Sequence, residues 1–197
     1  MLLPEERRGR ARLAPPASST RALRRPAHML DRHDVLDSML REIRITRHLV
    51  EKVPPGGMDL RPTPGQRSTL ELLRYQSFCG LGGTHAMLDG GWERYQALAA
   101  AADGLGPDEI PGALDAQAAA LEEVFGTITD EAFDTQEATS PRGEVMTLGK
   151  ALLEHPVKWL VAYKLQLFLH CKMAGNDDIW TPNCWGGVDM ARPETQS

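Results

Sequence analysis

Three ring-bearing residues spaced four apart near the C-terminus are the most conspicuous group that could do chemistry. His155, Trp159 and Tyr163 follow one another at intervals that place them on one face of a helix. An indole offers only an N–H donor, and the high pKa of a phenol makes it a poor zinc ligand at neutral pH. The run therefore indicates an aromatic helix face that either packs in the core or lines a pocket.

Two further candidate residues are spaced so that each shares a helix face with a tyrosine. Cys79 is four residues beyond Tyr75, and His170 is seven residues past Tyr163. Cys79 and His170 could meet a metal ion together, but two ligands are too few and the sequence forces no third. A lone buried cysteine is more often a small core residue. We therefore predict no metal and no cofactor.

The cysteines and the lengths of the apolar runs bear on the cellular location of the protein. The three cysteines form no C-x-x-C pair, and their odd number does not suggest a disulfide framework. No run reaches the ~18 apolar residues that a membrane span needs, and the first residues lack the apolar stretch of a secretory signal. We therefore expect a cytoplasmic protein with reduced thiols and no membrane partner.

Charge is distributed unevenly along the chain. The net charge is -5, and residues 1–28 carry seven arginines and two glutamates, or +5, which leaves -10 for the remainder. Affinity for nucleic acids comes from clustered Lys and Arg, so this acidic body argues against such a partner. Residues 1–28 show no apolar periodicity and predict a disordered basic extension, ahead of one domain over residues 29–197. A solvated extension is favoured over an arm that binds an anionic surface.

Apolar residues recur with helical spacing through most of the chain, and no stretch alternates as a strand would. The pattern predicts an all-α fold with four long helices and one short helix, over 34–52, from Ser68 onward, 92–102, 108–125 and 144–174. Pro156 predicts a kink or a restart in the last helix. Residues 126–142 are expected to form a short hairpin or a crossover loop, and the tail over 177–196 to pack back on the bundle.

The second helix has the clearest start signal. Ser68 and Glu71 have the spacing of a capping box, in which each side chain bonds the other residue's backbone N–H. Gly80, Gly82 and Gly83 weaken the later part of this helix and predict a kink or a close helix crossing. No strand precedes these glycines and no Lys-Ser/Thr pair follows them, so a phosphate-binding loop is a poor alternative.

Two segments resemble the DinB/YfiT superfamily. The first contains Arg61-Pro62, Arg67-Ser68 and Glu71-Leu72-Leu73-Arg74, and the second runs from Leu152-Leu153-Glu154-His155 through Gln166-Leu167 to Gly175. The resemblance covers roughly residues 30–190. It implies a DinB/YfiT-like four-helix bundle with an additional short helix.

The resemblance also implies where a site would lie. Members of this superfamily hold a divalent metal with three histidines, one on the second helix and two at i and i+4 on the last. The matching positions here hold Tyr75, Trp159 and Tyr163, which implies that the metal site is lost. We expect either that these rings fill the vacated space, which is favoured, or that they line a cavity for a small aromatic or cationic ligand. The predicted pocket comprises Tyr75, Trp159, Tyr163, Cys79, His155, Gln166 and His170.

Three functional hypotheses follow from this resemblance. The first is a metal-free bundle that binds a small molecule or acts as an interaction protein. The second is an enzyme with non-standard ligands, because relatives include metal-dependent S-transferases that use thiols such as mycothiol or bacillithiol. The third is a structural bundle that pairs as a homodimer through exposed helix faces. The residue types at the three positions favour the first hypothesis over an enzyme.

Overall fold

A computed structural model describes residues 30–193 as helices joined by short loops, with one small β-hairpin. The helices are α1 (Arg32–Val50), α2 (Thr69–Gln76), α3 (Cys79–Asp89), α4 (Glu93–Asp103), α5 (Ile110–Thr127), α6 (Asp130–Thr135), α7 (Leu148–Leu152), α8 (Lys158–Met173) and α9 (Thr181–Gly186). The hairpin strands are β1 (Glu137–Thr139) and β2 (Val145–Thr147). Short 3-10 turns span Gly57–Asp59 and Pro107–Glu109. The predicted extension over 1–28 lies outside the described residues.

The all-α prediction is confirmed, and the four long predicted helices correspond to α1, the α2–α3 pair, α5 and α8. Helix α1 packs against both α5 and α8. Helices α1 and α8 run parallel, because the Glu42–Lys164 contact is followed seven residues later on both helices by the Leu49–Cys171 contact. Helix α8 also packs against α2. This arrangement places the aromatic face of α8 against α2.

The predicted second helix begins as expected but is divided in two. The capping box between Ser68 and Glu71 is present. Helix α2 then ends at Gln76, and α3 starts at Cys79. The buried side chain of Gln117 holds the break: its amide nitrogen donates to the Gln76 carbonyl, and its oxygen accepts from the backbone N–H of Gly80 and of Leu81. A side chain from α5 thus replaces the helical hydrogen bonds that the break removes.

Glycines in α3 allow the close helix crossing that the sequence predicts. A Cβ atom on Gly83 would lie 2.7 Å from Cζ3 of Trp159, and one on Gly82 would lie 2.9 Å from Cδ2 of Tyr95. Any larger residue at either position would collide with a ring. These glycines therefore let α3 approach both α4 and α8.

The last predicted helix starts later than expected. Residues 145–147, which the sequence predicts as part of that helix, instead form strand β2, which pairs antiparallel with β1. Val145 and Thr147 are β-branched and favour an extended backbone, and Gly143 takes a positive φ of 84° in the turn that precedes them. Pro156 lies in a π-helical turn over Leu153–Val157, and α8 begins directly after it at Lys158, which is the predicted restart.

The C-terminal segment packs back on the bundle, as predicted. Helix α9 lies against α1 and α8. The Asn183 amide is 3.1 Å from the His48 imidazole and donates to the Asp189 carboxylate, which also pairs with Lys52. In the part of the chain that the structure describes, no helix combines the length and the hydropathy required to cross a membrane.

Candidate functional site

Two of the three rings predicted to share a site are in direct contact. The ring centroids of Tyr75 on α2 and Tyr163 on α8 are 4.7 Å apart, and the ring planes are inclined by 62°. This edge-to-face geometry is favourable for aromatic pairs. The two phenols therefore fill the space between the second helix and the last helix.

The third ring joins the same cluster through two residues that the sequence reasoning missed. Phe78 lies 5.4 Å from Tyr75 and 5.2 Å from Tyr95, and Tyr95 lies 6.4 Å from Trp159, measured between ring centroids. Tyr95 belongs to α4, where Leu98 and Ala102 follow it at i+3 and i+7 on one helix face, and this spacing is the signal that could have marked Tyr95 as inward-facing. The resulting aromatic cluster contains Tyr75, Phe78, Trp92, Tyr95, Trp159 and Tyr163.

Arg67 covers the cluster from the solvent side. Its guanidinium carbon lies 4.4 Å from the ring centroid of Tyr75 and 5.6 Å from that of Tyr163. These distances are typical of cation–π contacts. The sequence marks Arg67 only as part of a motif that precedes α2, and nothing in its spacing assigns it to a site.

The other predicted pocket residues divide into two groups. Cys79 is fully buried at the start of α3, and the His155 ring is 5.9 Å from that of Trp159. His170 is bonded elsewhere: its Nδ1 is 3.1 Å from the Thr69 hydroxyl, and its Nε2 is 3.4 Å from the Gln166 amide. His170 lies seven residues past Tyr163, which is about 10 Å along the helix. Gln166, which is half-buried, and His170, which is buried, therefore form a separate polar group.

Two adjoining clefts open beside the cluster. The first has a volume of about 290 Å³ and is lined by Arg67, Glu71, Arg74, Tyr75, Phe78, Ala99, Ala102 and Asp103. The second, of about 340 Å³, lies between α3, α4 and α5 and is mostly apolar. Phe78 and Ala102 line both. We call the first the polar cleft and the second the apolar groove.

A further cleft of about 520 Å³ lies beyond Trp159, between the hairpin turn and the π-helical turn. His155 lines it, and its Nε2 atom is buried without a hydrogen-bond partner. Burial lowers the pKa of His155, which keeps the imidazole neutral near pH 7. His155 thus faces a different space from Tyr75.

Comparison with solved structures identifies the architecture. The chain superimposes on a DinB-like protein of Bacillus subtilis, YjoA, with a TM-score of 0.57 and 15% sequence identity. The match covers 75% of this chain and 96% of that chain. The fold is DinB-like. No protein-family model matches the sequence, and no curated protein matches it either.

The metal implied by the DinB/YfiT resemblance does not fit the side chains that this DinB-like fold presents. The Trp159 indole is a hydrogen-bond donor without a free lone pair for an ion. Within residues 30–193, no three His, Cys, Asp or Glu side chains lie close enough together to hold a metal. The Tyr75 and Tyr163 rings contact one another directly, which leaves no room for an ion between them.

The electrostatics of the cluster agree with this misfit. Burial raises the pKa of the Tyr75 phenol far above its usual value, and Cys79 and a hydrogen bond with Tyr95 raise it further. Burial also raises the pKa of the Cys79 thiol to about 12. Both groups stay protonated at neutral pH, so this part of the DinB-like fold offers neither a phenolate nor a thiolate.

Proposed function

We propose that this DinB-like protein binds a small molecule without a metal, in the polar cleft beside Tyr75. The observation that carries the proposal is the position of the cleft. It opens against Tyr75 and Phe78, on one side of the aromatic cluster. The cluster then serves as a rigid wall of the site, because each ring is held by edge-to-face contacts with its neighbours.

The sequence leaves two alternatives, in which the rings either fill the interior or line a cavity. Different parts of the cluster support each one. The Tyr75–Tyr163 contact fills the interior, as the packing alternative requires. Tyr75 is only half-buried, and it contributes to an open cleft that does not include Tyr163. The proposed pocket therefore differs from the predicted one: it keeps Tyr75 and adds Arg67 and Arg74.

The chemistry at the cleft favours binding over catalysis. The Cys79 thiol beneath the cluster is fully buried and protonated, so it is not a nucleophile. The imidazole of His155 faces the cleft beyond Trp159 and does not line the polar cleft. Cations, carboxylates and aromatic faces remain, and these groups are typical of a ligand-binding site.

Fragment binding by ligand-observed NMR tests the proposal. Ala99 lines the polar cleft, so Ala99→Trp should fill it and abolish binding of fragments that bind the native protein. Ala100→Trp is the matched control, because Ala100 is exposed on the same helix and lines neither the polar cleft nor the apolar groove.

Two outcomes would count against the proposal. If fragments bind equally to the native protein and to both variants, or bind to none of them, the polar cleft is not the site. Near-stoichiometric zinc or nickel in untagged protein, measured by mass spectrometry, would instead favour a metal-dependent enzyme.

Self-association is a second candidate role, favoured by one surface. Four exposed apolar residues follow one another at intervals of four along α8, namely Val161, Leu165, Leu169 and Met173. Such a stripe can pack against a second copy, although these side chains alone fall short of the ~800 Å² per partner of a stable interface. Light scattering tests this role: a dimer that Leu165→Lys dissociates would support it, and a native monomer would exclude it.

A further inference from the structure

We propose that the ligand of this site is an amphipathic organic anion. Its anionic group would bind at Arg67 and Arg74 in the polar cleft, and its apolar part would lie in the groove between α4 and α5. This inference rests on the proposed function, because it names the class of molecule that the same site binds. Three features carry it: the lining of the groove, the charge of the cleft and the pre-positioned arginines.

The apolar groove offers space but few polar partners. The small alanine methyl groups on α4 and α5 leave a volume of about 340 Å³. The walls are lined mainly by alanine and leucine side chains, namely Leu81, Leu98, Ala101, Ala102, Leu105, Ala113, Ala116 and Ala120. The two polar side chains of the groove, Ser77 and Gln117, are bonded internally. The Ser77 hydroxyl donates to the Arg74 carbonyl, and the Gln117 amide holds the break between α2 and α3. The groove therefore suits a hydrocarbon or aromatic group.

The charged side chains that line the polar cleft are Arg67, Arg74, Glu71 and Asp103. Glu71 is neutralised by Arg61, which donates to it over 2.8 Å, and it also accepts from the backbone N–H of Ser68. This leaves Arg67 and Arg74 against Asp103, a net charge of +1. Among the described residues, no ion pair joins Asp103 to either arginine. An anion therefore gains more from this cleft than a neutral or cationic molecule does.

Both arginines are oriented before any ligand arrives. The guanidinium of Arg67 lies over the ring of Tyr75, which leaves its N–H edges free. Arg74 donates from Nε to the Leu105 carbonyl over 2.8 Å, so its terminal nitrogens remain available for a ligand. A planar guanidinium with free edges matches the two oxygens of a carboxylate.

The cleft and the groove adjoin, and the proposed ligand spans both. Phe78 and Ala102 form the shared boundary. The individual volumes, about 290 Å³ and 340 Å³, lie at the lower end of the range for small-molecule sites. A short-chain or single-ring carboxylate fits these dimensions.

Calorimetry with three probes of equal chain length tests the inference on the full chain. The probes are octanoate, octan-1-ol and octylammonium. Octanoate should bind most tightly. Arg67→Gln should weaken octanoate about tenfold, which corresponds to the loss of one charge-assisted hydrogen bond, and leave octan-1-ol unchanged. Arg44→Gln, an exposed arginine on α1 that lines neither cleft, is the control.

A second variant pair tests the groove. Ala116→Trp, at an exposed position that lines the groove, should weaken octanoate and octan-1-ol alike by about tenfold or more. Ala119→Trp is the matched control, because Ala119 is exposed on the same helix and lines neither cleft. All four substituted positions are exposed, and thermal melting checks that each variant remains folded.

The outcomes separate this inference from the function on which it rests. If octan-1-ol or octylammonium binds as tightly as octanoate, or if Arg67→Gln has no effect, the ligand is not an anion. If acetate, titrated as a control without a hydrocarbon chain, binds as tightly as octanoate, the apolar groove takes no part. If fragments bind in the polar cleft but none of the three probes binds, this inference is wrong and the proposed function stands. If neither fragments nor probes bind, both fail.

Discussion

Tyr75 and Tyr163 meet edge to face, with ring centroids 4.7 Å apart, and so join the second helix of the bundle to the last. Tyr163→Ala should lower the free energy of unfolding by about 1–3 kcal/mol, because it removes a half-buried ring and its aromatic partner contact. Tyr163→Phe keeps the ring and should cost less than about 0.5 kcal/mol. Urea denaturation measures both, and equal losses for the two variants would show that the ring contact is not the stabilising element.

The close approach of α3 and α8 depends on Gly83. Gly83→Ala should destabilise the fold by about 1–3 kcal/mol, since the added Cβ would lie 2.7 Å from the Trp159 ring. Gly112→Ala is the matched control, because Gly112 is an exposed helical glycine on α5 with nothing within 4 Å of an added Cβ. That substitution should stabilise the protein by about 0.5–1 kcal/mol. If thermal melting shows both substitutions to be stabilising, α3 and α8 are not in close contact.

The buried ion pair between Lys164 and Glu42 links α8 to α1. The Nζ atom of Lys164 lies 2.8 Å from Oε2 of Glu42, and Lys164 is only 1% exposed. Lys164→Met should cost about 2–4 kcal/mol, because it leaves the Glu42 carboxylate largely buried and unpaired. The double variant with Glu42→Leu should recover most of that loss. Chemical denaturation of the single and double variants measures the coupling, and additive losses would contradict it.

Stability should fall as the pH is lowered below about 6.5. Burial lowers the pKa of His170 below its ordinary value of 6.5, so the unfolded chain binds a proton at a pH where the folded protein does not. The unfolded state therefore gains stability as the pH falls through 6.5, and the effect levels off below the folded-state pKa.

A pH series of urea unfolding curves measures this dependence. His170→Gln should make the dependence shallower, whereas His33→Gln, at an exposed position on α1, should leave it unchanged. His48, His85 and His155 also have pKa values lowered by burial, so part of the dependence should persist. An unchanged slope in His170→Gln would show that this imidazole is protonated equally in both states.

Helical periodicity and capping signals predict most of the fold. The capping box at Ser68 and the interruption of the helix at Pro156 are both present, because each depends on residues close together in sequence. The break after Gln76 depends on Gln117, which lies 41 residues away, and no local signal predicts such a contact. Strand β2 was missed for a related reason: a three-residue strand pairs across a turn and is too short to show an alternating pattern.

The candidate site was only partly accessible to sequence reasoning. The spacing of Trp159 and Tyr163 shows that they share a helix face, but it does not show which side chains from other helices meet them. Tyr95 joins the cluster because α4 packs against α3, and Arg67 because its guanidinium folds back over Tyr75. His170 has the predicted helical phase, but it is about two turns too far along α8 to meet the cluster.

Zinc uptake by the triple variant Tyr75→His, Trp159→His and Tyr163→His tests most directly whether the rings occupy the position of a metal. Equilibrium dialysis of untagged protein followed by mass spectrometry measures bound zinc per chain. We predict that the native protein retains no stoichiometric zinc and that the folded triple variant takes up about one ion per chain. Stoichiometric zinc in the native protein, or none in a folded triple variant, would contradict it.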